Sequence, residues 1–108
     1  MEKISKTIRY NKLFNLYGKL LSSTQQEILE SYFCFDLSIS EIALERDISR
    51  AAVEDALSKG SKKLEEYESL LHFLENNEEI LKNCANLKKN LSNHKDLELI
   101  EDIERRLK

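Results

Sequence analysis

Apolar positions recur three and four residues apart along almost the whole chain, the spacing of one helix face after another. In "KTIRYNKLFNLYGKLL", residues 6–21, they are Tyr10, Leu13, Phe14, Tyr17, Leu20 and Leu21. "SSTQ" then restarts the chain: Ser22 with Gln25 three residues on has the form of a capping box. The second helix is predicted to run to about Phe35, with Ile28, Leu29, Tyr32 and Phe33 inward. Ser38 with Glu41 repeats the device and opens a short third helix that turns Ile39, Ile42 and Ala43 inward. Asp47 falls at the turn, where a left-handed conformation suits Asp better than most residues. Ser49 caps a fourth helix with Val53, Ala56 and Leu57 on its buried side.

Gly60 lies on the inner side of that helix, where it could end it, kink it or admit a neighbour. Helical period resumes through Leu64, Tyr67, Leu70, Leu71 and Leu74, predicting one long helix from Arg50 to Leu74. "ENN" is the next break. Ile80, Leu81, Cys84, Leu87 and Leu91 mark a fifth helix; Leu97, Ile100, Ile103 and Leu107 mark a sixth, with Ser92 or Asn93 as its cap. The fold class is all-α: a helix-turn-helix domain over residues 1–75 with a long fourth helix, and a two-helix extension over 76–108. The extension's apolar stripes are narrow and need a partner, either the fourth helix or a second copy of the chain.

Composition agrees with this reading. The 108 residues hold no proline and two glycines, and 34% are charged. No apolar run is long enough to span a bilayer and the start is not a signal peptide, so a cytoplasmic protein without a membrane partner is expected. Cys34 and Cys84, each on an apolar stripe, are expected as buried free thiols. Net charge is −3, but residues 1–20 carry Lys3, Lys6, Arg9, Lys12 and Lys19 against Glu2 alone. Any phosphate-facing surface should therefore involve the first helix.

Candidate chemistry is sparse. His72 and His94 are far apart and neither cysteine has a ligand at zinc-finger spacing, so no metal or cofactor is expected. There is no glycine-rich phosphate loop and no nucleophile elbow, so an enzyme is not expected either. The specific signal is the helix-turn-helix within "DLSISEIALERDISRAAVEDAL", residues 36–57. Ala43, Ile48 and Val53 would clamp its two helices, leaving Arg50, Ala51, Glu54, Asp55 and Ser58 toward a groove. Ser49 and Arg50 are candidate phosphate contacts at the helix start, where backbone N–H groups are exposed. Arg9, Lys12 and Lys59 complete the candidate nucleic-acid set. Glu54 could accept from a cytosine amino group, though two adjacent acids cost binding near phosphates. The competing reading is a helix-turn-helix retained as a packing unit or a protein-binding surface.

These residues resemble the YlxM family of small bacterial proteins, whose helix-turn-helix is like region 4 of sigma factors. The resemblance covers roughly residues 6–74: "KTIRYNKLFNLYGKLLS", Gln25, Tyr32, "DLSISEIA", "ISRAAVEDAL" and "LEEYESLLHFL" in order, without gaps. It implies an all-helical cytoplasmic protein and, by fold, a DNA-binding regulator. Gene neighbourhood in the family further implies a part in, or regulation of, the signal recognition particle pathway, with DNA, a structured RNA or a particle component as partner. A homodimer is expected, because helix-turn-helix proteins often bind as dimers. The chain departs from the family at Ala51 and Glu54, where polar or aromatic residues are usual, at Ser58, where a basic one is, and at Arg46, where an apolar one is. The stretch from about Asn76 is the least family-typical.

Overall fold

The computed structural model describes the backbone of residues 2–108 and side chains from Thr7 onward. Lys3 and Lys6, part of the basic first helix, therefore lie outside the described side chains. Six α-helices follow one another, and there is no strand among the described residues: α1 Glu2–Tyr17, α2 Ser23–Leu29, α3 Ile39–Arg46, α4 Arg50–Leu71, α5 Phe73–Asn90 and α6 His94–Leu107. They form two compact units, residues 1–72 and 73–108.

In the first unit α4 is the spine, with α1, α2 and α3 each packed on it. Leu13, Tyr17, Ile28, Leu29, Ile42, Val53 and Leu64 are the fully buried side chains. Both capping boxes form: Ser22 accepts from the Gln25 backbone and Ser38 from that of Glu41, with the Gln25 and Glu41 side chains reaching back. α4 runs on to Leu71 and does not end at Gly60. A Cβ there would stand 2.7 Å from Leu29 Cδ1, so the bare backbone is what lets α2 seat Leu29 against α4.

Four expectations change. The first helix stops at Tyr17, four residues short of Leu21, and Gly18–Leu20 form a 3₁₀ turn that leaves Leu20 exposed. A Cβ at Gly18 would meet the Phe14 ring of α1 at 2.9 Å, so the bare backbone there makes room for that ring. α2 continues into a π turn over Glu30–Cys34, closed by Phe35 N–H on Glu30 O at 3.1 Å. The wider loop leaves the Phe33 carbonyl without its helical partner, and the Asn11 amide of α1 donates to it at 2.9 Å.

The same π turn rotates Cys34 outward, so it is exposed, whereas Cys84 is buried as expected; both are free. The Cys34 thiol donates to Asn11 Oδ1 at 3.2 Å. Partial burial, and then Glu30 nearby, push its pKa up, which keeps it a protonated donor. Finally, α4 ends at Leu71, not Leu74: His72 is left-handed (φ 56°), and "ENN" lies inside α5. Leu70, expected inward, is turned about 120° from Leu64 and is exposed. Its place on the inner face is taken by Glu68.

In the second unit α5 and α6 pack on each other, with Leu74, Cys84 and Ile100 buried. Asn93 caps α6, its side chain accepting from the Lys95 and Asp96 backbones. Lys88 Nζ reaches Glu104 at 2.6 Å across the pair.

Candidate nucleic-acid interface

The turn between α3 and α4 is built by backbone hydrogen bonds. Asp47 is left-handed (φ 55°, ψ 48°). Ile48 N–H then donates to Ala43 O at 3.0 Å and Asp47 N–H to Leu44 O at 3.3 Å. This is a Schellman closure made on Asp instead of the usual Gly. It turns the chain so that Ser49 caps α4, its Oγ accepting from Ala52 N–H at 3.0 Å. Ala43 and Val53 are buried as expected; Ile48 is 37% exposed, so the clamp rests on the first two.

Ser49, Arg50, Ala51, Glu54, Ser58 and Lys59 all lie exposed along the outer side of α4. Arg50 leaves the first turn with no ion-pair partner among the described residues. Lys59 is paired with Asp55 at 3.1 Å on the same face. Arg9 is elsewhere. Its guanidinium donates to both oxygens of Glu65 at 2.8 and 2.7 Å, tying α1 to the last third of α4. Residues 50 and 65 are separated by about 22 Å of helix. Lys12, one turn on from Arg9, is exposed on α1. The candidate residues thus fall into two groups, one at the start of α4 and one beside its end. Arg46, unusual before the turn, is held by Glu27 of α2 at 2.7 Å, which accounts for a cation there.

These pairs span long stretches of chain, Arg9–Glu65 covering 56 residues, so no local pattern announces them. The buried Tyr17–Glu68 bond at 2.6 Å was also missed. A signal for it existed, since Glu68 stands four residues after Leu64 and therefore on the inner face.

The Arg9 hydrogen bond holds the Glu65 carboxyl below its ordinary value of 4.5. Such a group adds stability above pH 4.5 that disappears as pH falls through the lowered value. With 47% and 36% of the two side chains exposed, the effect should stay below about 1 kcal/mol. Arg9→Ala should lower neutral stability by this amount, less than about 1 kcal/mol, and leave the acid end unchanged, so that the acid limb of stability against pH flattens, measured by urea unfolding at stepped pH. An unchanged acid limb would show the pair to be inert.

A left-handed Asp turn between two capped helices, the second exposing its first turn, defines an all-α helix-turn-helix protein. No helix is long and apolar enough to cross a membrane among the described residues. The model of the family described as "Putative helix-turn-helix protein, YlxM / p13 like" (UPF0122) matches residues 4–105, and the chain belongs to that family. The match includes the extension from Asn76. The chain is 39% identical over 106 residues to a UPF0122 protein of Shouchella clausii, covering 94% of this chain and 97% of that one. It is 38% identical over 107 residues to one from Bacillus mycoides, with the same coverage. With one from Streptococcus mutans it shares 46% over 71 residues, 66% of this chain and 64% of that one.

Proposed function

We propose that the protein is a cytoplasmic regulator that binds nucleic acid through the first turn of α4 and acts in, or regulates, the signal recognition particle pathway. The observation that carries the binding is Arg50: an exposed guanidinium with no ion-pair partner among the described residues, in the first turn of a helix capped by Ser49. The pathway is inferred from the family's gene neighbourhood, as a resemblance implies it. A net charge of −3 limits general affinity, so few phosphates are engaged.

An anisotropy titration tests the proposal, with duplex DNA in one arm and signal recognition particle RNA in the other, each at two salt concentrations. Arg50→Ala should weaken binding about tenfold and lower the salt slope by about one. Arg9→Ala should change it far less, because Glu65 already holds that cation. Equal binding by wild type and Arg50→Ala would overturn the proposal.

The second reading is a protein-binding adaptor that keeps the helix-turn-helix shape. It is favoured by Glu54 and Asp55, exposed on the outer face of α4, while Arg9, Arg46 and Lys59 are each tied to a carboxylate. Capture of the same partner from lysate with and without nuclease would select this reading over the first.

A further inference from the structure

The α5–α6 unit keeps one apolar side uncovered. Three residues join its two helices, so they run antiparallel as packed neighbours. Around α5, Ile80 and Leu87 stand about 40° and 60° to one side of buried Cys84, and Lys88 about 40° to the other. Around α6, Leu99 and Ile103 stand about 100° and 60° to one side of buried Ile100, and Glu104 about 40° to the other. Equivalent flanks of an antiparallel pair fall on the same side of the layer. The Lys88–Glu104 bridge confirms this for one side. The other side therefore gathers Ile80 (41% exposed), Leu87 (51%), Leu99 (65%) and Ile103 (44%) into one face.

The edges of this face say what covers it. Along α5 the rim is Asn76, Asn83 and Asn90, at heptad spacing, exposed and uncharged. Where a two-fold axis crosses α5, that helix meets its own copy, so a rim of one charge sign would repel itself. Amides carry both donor and acceptor and can pair with themselves. The register agrees. An antiparallel α5 pair centred on Asn83 sets Asn76 opposite Asn90 and Ile80 near Leu87. An antiparallel α6 pair centred on Glu101 sets Leu99 opposite Ile103, and Asp96 opposite Arg106. Arg106 is already bonded to Asp102 at 3.0 Å, so its charge is in place. With the chain turning at Ser92, positions 83 and 101 are level within the unit. One two-fold axis, in the plane of the face and perpendicular to the helices, satisfies both pairs at once.

We infer that this face is an interface with a second copy of the chain, forming an antiparallel four-helix bundle. The inference is independent of whether α4 binds nucleic acid. A dimer built on four half-exposed apolar side chains should form at about 1–50 µM. Light scattering and sedimentation of the full chain from about 2 to 200 µM read it directly. Leu87→Glu and Ile103→Glu should each weaken dimerisation more than about tenfold, with helix content by circular dichroism unchanged because both sites are exposed. Asp96→Arg should weaken it by like charge against Arg106, and Asp96→Arg combined with Arg106→Asp should restore it. A chain that stays monomeric throughout, a dimer indifferent to Leu87→Glu and Ile103→Glu, or a charge swap that fails to restore association would overturn the inference.

Discussion

Gly60→Val should lower the melting temperature of the first unit by about 8–24 °C, a net loss of about 2–3 kcal/mol. Leu29 is fully buried, with its Cδ1 2.7 Å from where a Cβ on Gly60 would stand. The leucine cannot swing into solvent, so extra carbon is accommodated by moving α2 away from α4. Overpacking of this kind costs about 3 kcal/mol at its upper range, and the helix-propensity gain from removing a glycine returns no more than about 1. Gly60→Ala is the graded control, with a net loss of about 1–2 kcal/mol. Thermal unfolding followed at 222 nm measures both. Leu29→Ala alone should cost about 2–5 kcal/mol, and the Leu29→Ala, Gly60→Val double variant should lose less than the sum, because valine partly fills the cavity. Strict additivity would mean that the two positions do not meet.

That contact illustrates what the chain disclosed before its structure. Periodicity placed Gly60 on the inner face of α4 but left three roles open. Only the partner helix, 31 positions back in the chain, selects close approach. Elements with local causes were legible: two capping boxes, the Ser49 cap, Asp47 in its left-handed turn, and the outward face from Arg50 to Lys59. Where two local rules competed, the outcome needed tertiary information. The π turn at Glu30–Cys34 moves the helical phase and exposes Cys34, and Asn11 of another helix supports it. "ENN" looks like a break on composition, yet the chain breaks at His72, a residue in the middle of "LLHFL". The candidate site divides along the same line. Its members at the start of α4 follow from the motif. The attachment of Arg9 to Glu65 and of Lys59 to Asp55 decides which cations remain available, and only the second has a local spacing.

Tyr17→Phe should cost about 1.5–3 kcal/mol, or about 6–24 °C in melting temperature. Tyr17 ends α1 and is 1% exposed; its hydroxyl donates to Glu68 Oε1 at 2.6 Å, and Glu68 itself is 7% exposed. Removing one oxygen deletes a short hydrogen bond to a carboxyl group that water reaches poorly, so desolvation of the carboxyl is no longer offset by this donor. Glu68→Gln keeps an acceptor at the same place and should cost less than Tyr17→Phe. Adding Glu68→Gln to Tyr17→Phe should then cost less than it does alone, because the two changes act on one bond. Tyr67→Phe is the control for ring chemistry. Its hydroxyl meets Leu20 O only at 3.5 Å in an exposed setting, so its removal should change stability by less than about 0.5 kcal/mol. Were Tyr17→Phe as stable as the parent while Tyr67→Phe was not, the tie between the end of α1 and the last turn of α4 would run through the neighbouring ring, 6.0 Å away. If the loss follows Tyr17, this buried hydroxyl joins the Arg9–Glu65 pair and the packing of Leu13 in holding α1, with its basic residues, against α4.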